Sequence, residues 1–298
     1  MRCSASTTWS EYPGIGNPRL RVLRDVPATP LAGRRDILVY LPETYRDMWT
    51  GPILYFHDGQ NLFDSTTSTA GATWETAEAL DELARQGLPA LAVGIPHGGL
   101  RRPYELNPFP QPEVGGGEGR RYLSFVIKTV IPLVESSFGV IASPQNRGII
   151  GSSMGGLISL FAFFRCPGVF GLCGALSPAL WFEDRQIIAE LEEVSTPTGR
   201  IYLDVGTQEL TSGQENSSGA RNYRDAARRR SISADWRELS RLWTEDVRLL
   251  FESLISRGYR QGLSLLYREI KGGIHHESAW AERLPDGVRF LLGPLGDA

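Results

Sequence analysis

The sequence predicts an α/β fold: a mostly parallel central sheet of about eight strands with helices on both faces. Three observations carry this expectation. Short β-rich runs alternate with longer helical patterns along the chain. Several runs are continuously apolar, such as Ile53-Leu-Tyr-Phe56 and Leu91-Ala-Val-Gly-Ile95, as in strands covered on both faces. The uncharged stretch Gly148–Phe164 falls short of the roughly 20 residues of a membrane span. It carries Ser152, Ser153, Ser159 and four glycines, so it reads as a buried strand, a sharp turn and a buried helix.

The strands are expected at Leu20–Val26, Arg35–Leu41, Ile53–His57, Ala90–Ile95, Gly148–Gly151, Leu172–Leu176, Arg200–Val205 and Leu263–Ile270, the first ones antiparallel. Helices fall between them. Trp74–Gln86 comes first, and Gly119–Phe138, which contains Pro132, stops at Gly139. Met154–Phe164 and Asp184–Glu193 follow. Asp235–Arg257 is the clearest, with Trp236, Leu239, Trp243, Val247, Leu250 and Leu254 recurring at helical spacing. Asp235 with Glu238 resembles a capping box, and Gly258 ends that helix. Ser278–Leu291 shows a second stripe at Trp280, Leu284, Val288 and Leu291.

The chain has 298 residues, 41% of them apolar, with 31 Lys+Arg against 34 Asp+Glu for a net charge of −3. Such a chain buries enough apolar surface to offset its ordering entropy, which excludes disorder as the main state. Its mild acidity gives no general attraction to nucleic acid or to anionic membranes, and neither is expected as a partner. Cys3, Cys166 and Cys173 are too few, and odd in number, for a disulfide framework. Met1–Ser10 lacks the apolar stretch of a signal peptide, so a reduced, cytoplasmic protein is expected. No linker or repeat divides the chain, so residues 1–298 read as one domain. Two loops stand out: Asn107–Gly119, rich in Pro and Gly, and the polar Gln208–Ala234. The run Arg228-Arg-Arg-Ser231 in the second reads as a solvated face, with a phosphosite or anion contact as the alternative. Oligomeric state has no signal in the sequence.

Gly151-Ser152-Ser153-Met154-Gly155 fits the pattern G-x-S-x-G, with a strand before it and a helix after it. A nucleophile on such a turn is strained and crowded, so its neighbours must be small, and the helix N-terminus stabilises developing negative charge. Ser153 is therefore the candidate nucleophile. A serine needs a general base, and His275 follows the last strand and precedes the last helix, in Lys271-Gly-Gly-Ile-His-His-Glu277. His276 takes that role only if the loop is shifted by one residue. His57 ends an apolar strand and reads as structural. The acid belongs near Arg200-Ile-Tyr-Leu-Asp-Val-Gly-Thr-Gln-Glu209. Glu209 lies beyond the strand's carboxyl end and is preferred, with Asp204 inside the strand as the alternative. An oxyanion hole needs two backbone N–H groups. Met154 supplies one, and the loop His57-Asp-Gly-Gln-Asn61 the other, through Gln60. Asp58 reads as loop-shaping, an acid or metal ligand being the alternative.

At these residues the sequence resembles the putative esterase (esterase D-like) family of the α/β-hydrolases. That family includes feruloyl and acetyl-xylan esterases, S-formylglutathione hydrolases, siderophore esterases and mycolyltransferases. The resemblance covers roughly Arg35–Leu292 and rests on six segments in order. They are Tyr55–Asp64, Val93–Pro96, Gly151–Gly156, Ala175–Trp181, Tyr202–Glu209 and Gly273–Pro285. It implies an α/β-hydrolase fold, Ser153 as nucleophile, His275 as base, the carboxylate near Glu209 as acid, and Gln60 and Met154 as oxyanion donors. Trp181 looks like the family's aromatic residue beside the acyl pocket, a plain core tryptophan being the alternative. His97 and His276 depart from the Asn common in relatives, and Gln208–Ala234 looks long enough to form a lid. The expected function is a serine esterase acting on a small-molecule ester, without cofactor or metal. An acyltransferase using the same triad, or a non-catalytic binding protein on the same fold, is the alternative.

Overall fold

The computed structural model describes residues 8–111, 115–182, 184–211, 221, 223–225, 227 and 235–294. Its sheet has nine strands, one more than expected, in the order β1-β2-β3-β5-β4-β6-β7-β8-β9. The strands are β1 Ser10–Glu11, β2 Leu20–Pro27, β3 Arg34–Tyr40, β4 Ile53–His57, β5 Leu91–Ile95, β6 Arg147–Ser152, β7 Leu172–Leu176, β8 Arg200–Gly206 and β9 Leu265–Ile270. β1 to β3 run antiparallel and meet β5 antiparallel; from β5 to β9 all pairs are parallel. The extra strand is the two-residue edge β1, whose exposed Ser10 and Glu11 carry no apolar pattern.

The apolar runs are explained by the two layers they serve. Ile53 and Tyr55 of β4 face one core, with Leu157, Phe161, Leu239 and Val247 from covering helices. Leu54 and Phe56 face the other, with Leu80, Leu83, Trp280 and Leu284. Alternation along the strand thus buries every residue. Helices Gly119–Phe125, Met154–Arg165, Gln186–Glu192 and Trp236–Ser256 cover the first face, and Thr76–Arg85 and Glu277–Leu292 the second. Among the described residues no helix is long and apolar enough to cross a membrane.

Several boundaries move for local reasons. The expected Gly119–Phe138 helix is α-helical over Gly119–Phe125, π-helical over Val126–Val130 and α-helical again over Ile131–Ser137. Pro132 has no N–H to donate back to Lys128, so it opens a new helix instead of continuing the old one. Glu75, Asp184 and Arg185 sit at φ 49°, 50° and 66°, so their helices begin only at Thr76 and Gln186. The last strand starts at Leu265, because Leu263, Ser264 and Leu265 N–H all turn back to Arg260 O. Asp235 caps its helix by accepting from Arg237 and Glu238 N–H, whereas the Glu238 carboxylate turns to Arg241, leaving half a capping box. A one-turn helix at Arg102–Glu105 was not expected.

Cys173 is buried and Cys166 half-buried, both free; Cys3 lies outside the described residues. The expected lid at 208–234 lies largely outside them too, as does Arg228–Ser231. Of that segment, Tyr223 and Ala227 are buried.

Candidate active site

In a parallel sheet the loops leaving the strands gather at one edge, and Ser153, Met154, Gln60, Glu209 and His275 follow on strand ends there, with Asp204 still inside β8. Ser153 stands between the end of β6 and the helix Met154–Arg165, at φ 55° and ψ −121°. A non-glycine residue at positive φ is strained and must be held by its surroundings. Ser153 N–H donates to Leu176 O at 3.0 Å, and Ser153 O accepts from Leu157 and Ala179 N–H at 3.1 and 3.0 Å. The flanking glycines make room. A Cβ on Gly151 would lie 2.6 Å from Gly155 C, and one on Gly156 3.0 Å from Pro178 Cβ. Ser152 is buried, while Ser153 is half-buried.

His275 lies in the loop between β9 and the last helix. Its Nδ1 is 2.6 Å from Oε2 of Glu209, which is fully buried just past β8. The two loops are laced together by Gln208 N–H on Gly273 O at 2.9 Å and His275 N–H on Glu209 O at 3.3 Å. That approach needs glycine at 206, where a Cβ would overlap Gly273 O. Trp243 and Trp280 flank the imidazole, with ring centroids 4.7 and 4.8 Å away. Among the described residues no hydrogen bond joins Ser153 Oγ to His275; such contacts often close only when substrate binds.

Asp204 does not take His275. Its Oδ1 accepts from Arg283 Nη1 at 3.0 Å and from Ser177 N–H at 3.1 Å, and its Oδ2 from Tyr202 O–H at 2.9 Å. Burial pushes Asp204 up to about 6 against the opposing Arg283 cation. Burial also raises Glu209, but the His275 bond, with Arg283 and Ser177 behind it, outweighs this and holds the carboxyl below its ordinary value. His276 turns away: its Nδ1 accepts from Ser278 N–H at 3.2 Å and caps the last helix.

Gln60 lies in the 3-10 turn Gly59–Asn61 after β4, and Met154 opens its helix. N–H groups at such starts have no partner within their own helix. A Cβ on Gly59 would stand 2.5 Å from Gly94 C, so only glycine lets this loop lie against β5. Asn61 Nδ2 donates to Glu277 Oε1 at 3.1 Å, tying the loop to the His275 side. Asp58, at φ 54°, is bound by Arg102 Nε and Nη2 at 2.8 and 2.7 Å. Burial raises Asp58, yet Arg102 reverses this and leaves it below its ordinary value. His57 is buried against Tyr122 O–H at 2.7 Å, and burial lowers it to about 4, so it stays neutral.

Trp181 is buried and stacked on Phe182, with Tyr223 and Trp243 beyond. Trp243, not Trp181, touches the imidazole. Sequence reasoning gave no role to three residues here: Trp243, hidden in a helical core stripe, and Ser177 and Arg283, which lie within two of the six segments. Among the described residues no group of three or more His, Cys, Asp or Glu side chains is placed to hold a metal ion.

The family model described as Putative esterase matches residues 29–291. The uncharacterized protein YbbA of Bacillus subtilis is 28% identical over 88% of this chain and 94% of its own length. The siderophore enterobactin esterase of Emericella nidulans is 28% identical over 90% and 94%. Among solved structures, the siderophore hydrolase EstA of Aspergillus nidulans superposes with a TM-score of 0.69 at 21% identity, covering 95% and 97%. The enterobactin esterase of Shigella flexneri gives 0.64 at 18% identity over 96% of this chain and 62% of its own. On a nine-stranded sheet of α/β-hydrolase type, with the family model spanning most of its length, the chain belongs to this esterase family and is a carboxylic ester hydrolase.

Proposed function

We propose that the protein is a serine esterase acting through an acyl-enzyme on Ser153, with siderophore-type small-molecule esters as its substrate class. The observation that carries this reading is the strained conformation of Ser153, φ 55° for a non-glycine residue at a strand-to-helix turn. His275 takes the Ser153 proton as Oγ attacks the acyl carbonyl. Glu209 holds the imidazole through Nδ1, leaving Nε2 for that transfer, and stabilises the imidazolium that forms. The oxyanion rests on the N–H groups of Gln60 and Met154, at the positive end of the helix that Met154 opens. His275 then protonates the leaving alcohol, and a water deprotonated by the same imidazole releases the acid.

The substrate class is supported by relatives matched over nearly their whole length, one of them a siderophore enterobactin esterase. Trp181, packed with Tyr223 and Trp243 next to His275, is the residue we assign to the acyl side of the site, where such rings suit a planar acyl group. The test is a panel of aryl, feruloyl, acetyl-sugar, siderophore and S-acyl esters against the purified protein. Highest kcat/KM on a siderophore ester supports the reading. A tenfold preference for any other class overturns the substrate assignment, and acyl transfer to an added alcohol in preference to water overturns hydrolysis.

A further inference from the structure

Two buried carboxylates, Asp204 and Glu209, lie near one buried arginine, Arg283, which is paired with Asp204, and Ser177 stands between Arg283 and Glu209. Ser177 follows β7 at φ 44°, a strained position that its surroundings enforce. Its Oγ lies 2.6 Å from Glu209 Oε1, 3.2 Å from Trp280 Nε1 and 3.3 Å from Arg283 Nη1. Indole and guanidinium nitrogens only donate, so they fill the two lone pairs of the hydroxyl. Its proton has one direction left, toward Glu209. The same Arg283 nitrogen reaches Asp204 Oδ1 at 3.0 Å, and Nη2 donates to Ile274 O, beside His275. No hydrogen bond joins Arg283 to Glu209 among the described residues.

We propose that Ser177, Arg283 and Asp204 are positioning residues that set how strongly Glu209 holds the His275 imidazolium: Asp204 neutralises Arg283, and Ser177 relays only a hydrogen bond to Glu209. Were Arg283 paired directly with Glu209, the carboxylate charge would be spent on guanidinium instead of imidazolium. With Asp204 taking the cation, Glu209 keeps its charge for His275 and is still fixed by donors on Oε1 from Ser177 and Gly206 N–H. The inference rests on the triad reading above.

Among the described residues, the charged and titratable groups around His275 include Glu209 and Asp204 from the β8 side, Arg283, Glu277 and His276 from the last helix and its cap, and Asp58 with Arg102 across from Glu277. The network makes a prediction of sign that simple loss of packing does not. Asp204→Asn leaves Arg283 uncompensated over the range above about pH 6 in which Asp204 is ionised, so protonating His275 becomes harder there. The acid limb of kcat/KM should move to lower pH by about 0.5–1 unit. Arg283→Gln leaves two carboxylates facing the imidazole, and the limb should move up by a similar amount. In the double variant the two shifts should cancel. Ser177→Ala removes a donor from Glu209, so the limb should rise and kcat fall about tenfold with KM within about twofold.

The position of the limb does not depend on how much of each preparation is folded. If the single charge variants fail to fold, the double variant and Ser177→Ala carry the test. An unmoved limb in either single charge variant or in Ser177→Ala, shifts of the same sign in both single charge variants, or a displaced limb in the double variant would overturn the proposal. Ser153→Ala in the same assay separates the two readings. If it is inactive while the limb stays fixed, only the positioning role falls; if it still turns over, both fall.

Discussion

Glu209 Oε2 lies 2.6 Å from His275 Nδ1, whereas Asp204, five residues earlier and still inside β8, faces Arg283. Two carboxylates at one strand end are thereby given different partners. Glu209 looks toward the loop that carries the histidine, and Asp204 toward the last helix.

Glu209→Gln keeps the shape of the side chain but cannot balance an imidazolium. We expect kcat to fall by roughly 10–10⁴-fold. Asp204→Asn should cost far less at neutral pH, its main kinetic effect being the displaced acid limb. Steady-state kinetics on p-nitrophenyl acetate rank the two, and the reverse order would move the acid to Asp204.

The adjacent histidines separate in the same assay. His275→Ala should reduce turnover about as severely as loss of the nucleophile, because the two act as one unit. His276→Asn retains a side chain able to cap the last helix and should stay within about tenfold of wild type. His276→Ala loses the cap and should cost about 1 kcal/mol of stability in denaturant titration, with activity near that of the Asn variant. Abolished turnover in His276→Asn would reverse the assignment.

Much of this arrangement is legible in the sequence, and the remainder is not for identifiable reasons. Strand β4 reads as buried because Ile53 to Phe56 serve two cores in alternation. Strand β1 does not read at all, since it pairs by backbone and its side chains face solvent. The positive φ of Asp184 and Arg185 leaves no mark in residues that also suit a helix start. Ser153 and His275 stand out by motif and chain order, but Glu209 and Asp204 are separated only by which loop each carboxylate meets. Ser177 and Arg283 carry no signal of a role in the sequence, and only packing, which buries both, brings them to Glu209 and Asp204.

Gly59 tests the oxyanion hole without touching a side chain. Gly59→Ala brings a methyl group to 2.5 Å from the β5 backbone and must displace the turn that holds Gln60 N–H. Loss of one oxyanion donor costs about 10²–10³-fold in kcat. A loss of this order with little change in KM is expected, and unchanged kcat would place the donor elsewhere.

We expect the Asp58–Arg102 pair to contribute to acid stability. Asp58 is lowered below its ordinary 3.8 in the fold, and Glu209 below 4.5. Their stabilising contributions are therefore complete above those values and are lost as pH falls through the lower native ones. Arg102→Met leaves the buried Asp58 charge without its cation and should cost about 3 kcal/mol at pH 7. Part of that loss should be recovered near pH 4, where Asp58 takes up a proton. Chemical denaturation at the two pH values measures it, and an equal loss at both would contradict the pairing.

The central claim is that the acyl group is carried on Ser153. The most direct measurement is turnover of p-nitrophenyl acetate by Ser153→Ala, with its circular dichroism matching the wild type. The account predicts a loss of at least about 10³-fold in kcat, against a far smaller loss in Ser152→Ala, whose side chain is buried at the end of β6. Full activity in a folded Ser153→Ala would contradict it.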